Sequence, residues 1–585
     1  MSRIAIVRKK ECSPVSCGGM LCAKVCPVNR KGEDCIKEDP VHHKAWIDET
    51  LCIGCGICPN RCPYDAIDII NLPEELKQDP IHRYGDNGFA LYSLPTPLFG
   101  KVVGVLGVNG IGKSTAIKII AGVLKPNLGK NDVEADYSRL IDFFRGTEAQ
   151  NFFEKMRDGR IKTAYKPQNV DMIPKQVSGT VKELLEKVDE KGMFEEVIDV
   201  LELRKILDTD VGSVSGGELQ RVAIAATVMK EANLYIFDEP TSYLDIKQRI
   251  KVSKFIRGLA DDDTAVLVIE HDLIILDYIT DMTHIMYGKE GGYGVVSLPK
   301  STRTGINVFL EGYLREENVR FRDYKIQFAA KPPVQKAGKD IQCSWEDVKK
   351  KLGNFDLGAD RGEIYKNDVI GVLGENGIGK TSFVKILAEV HKPDSGKVNE
   401  KVVVSYKPQY LEAGEDLVMT VLGEALEKYD AQIMRPLSIQ PLAMKKLSEL
   451  SGGELQRVSI ALCLSKKADL YLMDEPSAYL DVEQRIRVSK IIADVMEKRG
   501  TSALVVEHDL LFIDYLSKKL IVFEGEPAVS GNVRGPFDMQ EGMNKFLHEL
   551  DISMRRDEES LRPRINKPGS QKDREQRSAD KLYYA

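Results

Sequence analysis

The 585-residue chain has no run of about 18 apolar residues, the length a membrane-spanning helix needs. A soluble protein with no built-in membrane span is therefore expected. Its first residues, MSRIAIVRKKECS, lack the apolar stretch and small-residue cleavage site of a secretory signal, which makes the cytoplasm the expected compartment. Neither sign of charge prevails: 83 Lys and Arg face 89 Asp and Glu, a net charge of −6. Global electrostatics gives no argument for nucleic acid, so any such contact must be local. The chain is too long for one hydrophobic core, and roughly 150 residues per domain suggests about three to five units.

Cysteine is scarce over most of the chain and crowded at one end, with nine of eleven in the first 62 residues. The group Cys52-x2-Cys55-x2-Cys58-x3-Cys62-Pro63 has the bacterial ferredoxin spacing for a 4Fe-4S cluster, in which the fourth cysteine, followed by proline, serves a neighbouring cluster. A second group must then exist. Cys12-x4-Cys17-x4-Cys22-x3-Cys26-Pro27 supplies it, with the same Cys-Pro ending. The expected ligand sets are Cys12, Cys17, Cys22 and Cys62 for one cluster and Cys52, Cys55, Cys58 and Cys26 for the other. A zinc site or a disulfide framework is the alternative, and the two matched endings argue against both. Cys35 fits neither group and reads as a spare thiol. Cys343 and Cys463 stand alone and are assigned no chemistry.

The rest of the chain is dominated by a duplication. Gly107-Val-Asn109-Gly110-Ile-Gly112-Lys113-Ser114 and Gly374-Glu-Asn376-Gly377-Ile-Gly379-Lys380-Thr381 each follow a short apolar run, VVGVL or VIGVL, and open a helical pattern. That is the strand, loop and helix of a phosphate-binding loop. The glycines let backbone N–H groups turn inward around the phosphates, the lysine reaches the outer phosphates, and Ser114 or Thr381 offers a hydroxyl to magnesium. Thr115 and Ser382 follow at the helix start and count with the nucleotide-binding residues. Each loop is followed, in the same order, by Lys-Pro-Gln (Gln168, Gln409) and Ser-Gly-Gly-Glu-Leu-Gln-Arg (Ser215 with Gly217, Ser451 with Gly453). Then come Asp-Glu-Pro (Asp238 and Glu239, Asp474 and Glu475), Tyr-Leu-Asp (Asp245, Asp481) and Glu-His-Asp (His271, His508). The glutamates lie 236 positions apart and the histidines 237, so the repeat is nearly in register. Each fragment alone would read as a turn, a strand end or an ordinary histidine. Five in order, twice, resemble a pair of ABC ATPase cassettes.

That resemblance implies a role for each residue. Asp238 and Asp474 would hold magnesium through a water, and Glu239 and Glu475 would orient or deprotonate the attacking water. His271 and His508 would contact the γ-phosphate, while Gln168 and Gln409 would sense the magnesium and the water. Each site would be completed by the other cassette's signature in a head-to-tail pair, Lys113 with Ser451 and Lys380 with Ser215, closing on two nucleotides and opening on hydrolysis. An aromatic ahead of the lysine normally stacks on adenine. Tyr84, Phe89 and Tyr92 compete for that place in the first cassette and Phe355 is the candidate in the second, with core packing as the alternative for each.

Lys113 to Gln168 spans 55 positions against 29 from Lys380 to Gln409, so the first cassette carries 26 additional residues. Their pattern, DYSRLIDFFRGTEAQNFFEKMRDGRIK, predicts a helix-loop-helix insertion near 136–162 in which Phe143 and Phe144 pack with Phe152 and Phe153. Self-contained packing and partner contact are both open for it. A turn-rich segment at 331–339 reads as a linker. The tail from Met554 mixes dense arginine and lysine with acids. Solvated surface is the usual meaning, and a clamp across the cassettes or an RNA phosphate contact is the alternative.

Two ferredoxin-like cysteine groups, twin cassettes, an insertion in the first cassette only and a tail containing RPRINKPGS make a combination that resembles ABC subfamily E. These are the ribosome-recycling ATPases of the RNase L inhibitor family, and the resemblance covers essentially the whole chain. Asn71-Leu-Pro73, His82-Arg83-Tyr84 and Gly312-Tyr313-Leu314 sit where that family has its cluster-domain exit, first-cassette start and hinge. The four residues before Cys22, where the family has three, are a departure. The resemblance implies an α/β multidomain protein. A ferredoxin-like α+β domain with two 4Fe-4S clusters would occupy 1–73 and the first P-loop cassette 74–299. A hinge and linker would follow at 300–340, the second cassette at 341–529, and a C-terminal hinge and tail at 530–585. It further implies a magnesium-dependent ATPase that binds the small ribosomal subunit, its RNA and its proteins. With a release-factor-like partner it would split ribosomes after termination, with initiation factors as further partners, as a monomer whose cassettes pair internally. The clusters would be structural levers, and the insertion and hinge would meet the ribosome. Two other readings compete: a redox protein in which ATP gates electron transfer, and a transporter motor, which the fused cassettes and the cluster domain disfavour.

Overall fold

The computed structural model describes residues 3–9, 11–39, 43–48, 51–71, 79–85, 88–130, 134–322, 324–328, 340–388, 390–399, 402–409, 411 and 413–584. Residues 72–73 of the expected domain exit and the linker at 331–339 lie outside the described residues. The chain divides into two compact units. The first is Met1–Tyr243 with Val252–His271 and Ile279–Ile326, and the second is Leu244–Lys251 with Asp272–Tyr278 and Gln327–Ala585.

The first unit begins with the cysteine-rich domain. Strand Arg3–Val7 pairs antiparallel with Ile67–Asn71, tying the domain's ends together, and Ile36–Glu38 pairs with Ala45–Ile47. Two five-residue helices, Leu21–Val25 and Ile57–Arg61, stop at Cys26 and Cys62. A proline follows each of these cysteines and pushes it out of the helical region, to φ −65°, ψ 124° and φ −78°, ψ 114°. The Cys-Pro endings therefore turn the chain sharply at the residue whose sulfur must leave its own group.

The first cassette follows on a nine-stranded sheet, counted among the described residues. Its parallel strands run in the order Met282–Lys289, Val102–Leu106, Ala265–Ile269, Leu234–Asp238 and Thr163–Lys166. Val102–Leu106, Leu234–Asp238 and Ala265–Ile269 are buried at every position, which is why they read as unbroken apolar runs. The phosphate loop leaves the C-terminal end of Val102–Leu106 and runs into helix Lys113–Ile120. Both neighbours of that strand come from late in the chain.

Within the insertion, helices Tyr137–Phe143 and Glu148–Arg157 are joined by a short turn. Phe144 stacks on Phe153 with ring centroids 5.4 Å apart, and Phe152, Phe153 and Leu140 are buried with the cassette core. Further on, helix Thr302–Glu311 is closed by Gly312 at φ 78°, and the buried Arg322 donates to the Phe309 and Leu310 carbonyls.

The second unit repeats the parallel order with Lys519–Glu526, Val369–Leu373, Ser502–Val506, Leu470–Asp474 and Val404–Lys407. Its tail departs from the solvated-surface reading. Met554–Arg556 and Pro563–Ile565 form a hairpin, helix Gln571–Ser578 follows, and Arg562 is fully buried. The buried charge is tolerated because it is paired: Arg562 Nη1 donates to Asp277 Oδ2 at 2.9 Å, and Arg564 Nη2 to Asp277 Oδ1 at 3.0 Å. Among the described residues no helix is long and apolar enough to cross a membrane.

Candidate active sites and cysteine pocket

In each nucleotide site the lysine is folded onto its own loop. Lys113 Nζ donates to the Gly107 and Val108 carbonyls at 2.9 and 2.7 Å and reaches Asn109 Oδ1 at 3.4 Å. Lys380 Nζ donates to the Gly374 carbonyl at 2.7 Å and lies 3.1 Å from His508 Nε2. The curl requires Gly112 and Gly379, at φ 87° and 91°, and each faces a ring. A Cβ on Gly112 would stand 2.4 Å from Phe89, and one on Gly379 2.8 Å from Phe355. Gly110 and Gly377 are also left-handed, at φ 75° and 74°. Phe89 and Phe355 thus hold equivalent places against the loop.

The remaining aromatic candidates differ from these two. Tyr84 is half exposed, with its OH 3.3 Å from Thr115 Oγ1 at the start of the loop helix. Tyr92 packs edge-on against Tyr293. Five positions before Phe355, where the first cassette has Tyr84 before Phe89, stands Lys350, paired with Asp394 at 2.6 Å.

Thr381 Oγ1 donates to Asp474 Oδ2 at 2.9 Å, and Ser114 stands beside Asp238 in the same way. Asp238 Oδ1 is buried with no hydrogen-bond partner among the described residues. A buried orphan oxygen calls for an occupant, and a hydroxyl beside a carboxylate is the hard-oxygen set that suits magnesium. Burial, reinforced by the Glu239 charge, raises the Asp238 carboxyl to about 6, and burial raises Asp474 too. A bound cation would reverse both shifts.

Glu239 and Glu475 sit at left-handed φ of 48° and 45°, uncommon for a residue with a side chain. Buried donors pin both backbones. The Glu239 carbonyl accepts from Gln220 Nε2 at 2.7 Å and Lys166 Nζ at 3.2 Å, and the Glu475 carbonyl from Gln456 Nε2 at 2.6 Å and Lys407 Nζ at 3.4 Å. The same lysines hold the Asp238 and Asp474 carbonyls at 3.0 and 2.8 Å. Sequence reasoning took the glutamine of Lys-Pro-Gln and passed over its lysine. Alternation along the strand would have found it, since Lys166 and Lys407 fall on the buried parity of Thr163–Lys166 and Val404–Lys407.

Each carboxylate lies beside a glutamine and a histidine of its own cassette. Gln168 Nε2 donates to Glu239 Oε1 at 2.6 Å and Gln409 Nε2 to Glu475 Oε1 at 2.8 Å. His271 Nε2 lies 3.4 Å from Glu239 Oε1, and His508 Nε2 lies 3.8 Å from Glu475 Oε1. The two sites are not alike, because Ser242 Oγ donates to Glu239 Oε2 at 3.1 Å where the second cassette has Ala478. Burial raises the Glu239 carboxyl, but His271, Lys113 and Ser242 outweigh it and hold the group at about 2. Glu475 lacks the hydroxyl, and burial and then the Asp474 charge raise it. Burial, followed by the charges of Lys380 and Arg249, pushes His508 well below the ordinary histidine range.

Ser215 and Ser451 are exposed N-caps of helices Gly216–Val228 and Gly452–Ser465, each in a reciprocal capping box with Glu218 or Glu454. Gly217 and Gly453 lie in the first turns. The Tyr243 and Tyr479 rings pack against Gly216 and Gly452, 3.4 and 3.2 Å from where a Cβ would stand. Helix N-termini of this kind present N–H groups to an anion.

Cys12 and Cys22 both feel the charges of Cys17 and Cys62, and Cys22 that of Cys12 as well, so Cys62 stands near cysteines of the other sequence group. Cys26, Cys52, Cys55 and Cys58 line one pocket, joined there by Cys35. Backbone N–H groups of Ala45, Ala5 and Ala66 donate to the sulfurs of Cys12, Cys52 and Cys62 at 3.3–3.4 Å. Such bonds stabilise thiolates and tune a cluster's potential. Burial pushes the Cys22 thiol up to about 11 and the Cys58 thiol up to about 12, so a metal must displace their protons. No three His, Cys, Asp or Glu side chains among the described residues converge as a single-ion site. Four of the thiols around one pocket match the four thiolates that a cubane takes.

The family model described as ABC transporter matches residues 99–242 and 358–478, and the one described as 4Fe-4S binding domain matches 45–68. The chain is 44% identical to translation initiation factor RLI1 of Saccharomyces cerevisiae, over 100% of this chain and 98% of RLI1. Among solved structures it is similar to a model of ribosome-bound archaeal Pelota and ABCE1, at 51% identity and TM-score 0.94 over 100% of this chain and 99% of that one. It is also similar to the archaeal ribosome recycling factor aABCE1 in complex with the archaeal ribosomal stalk protein aP1. That likeness is 50% identity and TM-score 0.82, over 88% of this chain and 100% of that one.

Proposed function

Since the chain belongs to ABC subfamily E, the family of the RNase L inhibitor, we propose that it is an ATP-driven ribosome recycling factor. In this reading it binds the small ribosomal subunit, splits ribosomes into subunits after termination and has a link to translation initiation. The chain is an ATPase whose cassettes bind ATP with magnesium, and its N-terminal domain binds iron–sulfur. The observation that carries the proposal is the full-length likeness to ribosome-bound ABCE1.

The finer assignments complete the reading. Two 4Fe-4S clusters are held by Cys12, Cys17, Cys22 and Cys62 and by Cys26, Cys52, Cys55 and Cys58, as the two sulfur neighbourhoods support. Glu239 and Glu475 activate water, His271 and His508 contact the γ-phosphate, and Ser114, Thr381, Gln168 and Gln409 serve the magnesium. Tyr84 stacks on adenine at the first site, because its ring is exposed beside the loop helix while Phe89 is occupied with the loop itself. The partners are the small subunit, a release-factor-like protein and initiation factors, in the cytoplasm. The protein acts as a monomer whose cassettes close on each other.

Sedimentation of anaerobically purified protein with isolated ribosomal subunits tests the reading. Association with the small subunit is expected with a nonhydrolysable ATP analogue and not with ADP. No association with either, from cluster-loaded and ATPase-competent protein, refutes it.

A further inference from the structure

A cubane takes four protein thiolates, yet five cysteines line the pocket of the second cluster: Cys26, Cys35, Cys52, Cys55 and Cys58. One is in excess, and spacing identifies it as Cys35. We propose that Cys35 is a reserve ligand of this cluster, able to take the place of Cys52. The proposal rests on the two-cluster reading above.

Cys35 is only 1% exposed, so its sulfur has no solvent to face. Its Sγ lies 4.0 Å from the Asp48 carbonyl, the limit for a sulfur donor, and is within reach of the sulfurs of Cys26 and Cys52. The backbone is fixed from both sides: Cys35 N donates to the Glu33 carbonyl at 3.0 Å, and its own carbonyl accepts from Asp48 N at 2.7 Å. A buried thiol serving only as a small apolar residue could point anywhere in the core. This one is held against the pocket wall, next to two expected ligands.

Of those two neighbours Cys26 is buried and Cys52 is partly exposed, so Cys52 is the more open to oxidants of the two ligands beside Cys35. The exchange balances without a co-reactant. The Cys35 thiol gives its proton to the departing Cys52 thiolate, a sulfur–iron bond to Cys35 replaces the one to Cys52, and no electron changes hands. Four thiolates hold the cluster before and after.

The test compares the full-length protein with Cys35→Ala, Cys52→Ala and the double variant, purified without oxygen, by iron and sulfide content and by Mössbauer spectra. Wild type and Cys35→Ala are expected to hold about eight irons per chain, four per cubane. Cys52→Ala is expected to keep most of that iron with an altered second-cluster spectrum, and the double variant to hold about half. A Cys52→Ala protein already at half, or a double variant equal to the single, overturns the proposal. So does Cys35→Ala alone at half, which would make Cys35 an obligatory ligand. A wild type holding about four irons would instead overturn the two-cluster reading. Should Cys52→Ala fail to fold, thiol labelling of the unmutated protein after brief oxygen exposure decides. Cys52 labelled with Cys35 protected supports exchange, and any other labelling pattern overturns it.

Discussion

At the scale of single residues, the carbonyls of the Asp-Glu pair are held by a lysine that carries no recognised motif role. Lys166→Met would take the lysine's hydrogen bond from the Asp238 carbonyl and one of two side-chain donors from the Glu239 carbonyl, which keeps Gln220, at about 1–3 kcal/mol in all. First-site hydrolysis is expected to fall at least about tenfold with nucleotide binding kept, read by single turnover in a Glu475→Gln background. Unchanged turnover would remove the lysine from that role. Glu507 gives a prediction in pH. It accepts from the N–H groups of His508 and Ser477, and burial, then the charges of Asp509 and Glu475, raise it from 4.5 to about 7. The folded state therefore holds this proton more tightly than the unfolded chain does. Stability should fall as pH rises from about 4.5 to about 7, by roughly 3 kcal/mol, and stay low above. Calorimetry of Glu507→Gln should show that slope flattened, and an unaltered slope would assign it elsewhere. Motif residues were legible because phosphate chemistry fixes their spacing. Lys166 and Gln220 were not, because what they hold is backbone.

At the scale of elements, the phosphate loops test how sterics and backbone strain combine. Gly379→Ala adds a Cβ 2.8 Å from Phe355 at φ 91°, whereas Gly353→Ala meets nothing within 4 Å at φ 64°. The second should cost only about 1–2 kcal/mol of strain and leave nucleotide affinity alone. Gly379→Ala should weaken nucleotide binding at the second site by tenfold or more, measured with a fluorescent ATP analogue. Equal affinities would show that the loop yields. The central strands and the helical insertion were readable because complete burial and helical spacing write themselves into apolar pattern. The tail was misread for the opposite reason. Its arginines look solvated until Asp277, 285 positions before Arg562, is placed beside them, and nothing local encodes so distant a partner.

For the molecule as a whole, the tail should matter to stability more than its composition suggests. Arg562→Ala removes one partner of a buried pair, and losses of about 3–5 kcal/mol are typical of such changes. The Arg564 pair remains, so the lower end is expected, seen as a lowered melting temperature of the full chain. Glu239→Gln and Glu475→Gln should each keep ATP binding and slow hydrolysis at the altered site only. Single-turnover hydrolysis unchanged at that site would displace the glutamate as base. These two glutamates also sit where the backbone would prefer glycine or asparagine, each against roughly 1–3 kcal/mol of strain. Selection for folding alone pulls positions 239 and 475 away from glutamate, and only use of the site holds it there. A duplicated gene freed from that use should drift first at these two positions and become more heat-resistant as it does, so that the letter found there records whether a site is still working.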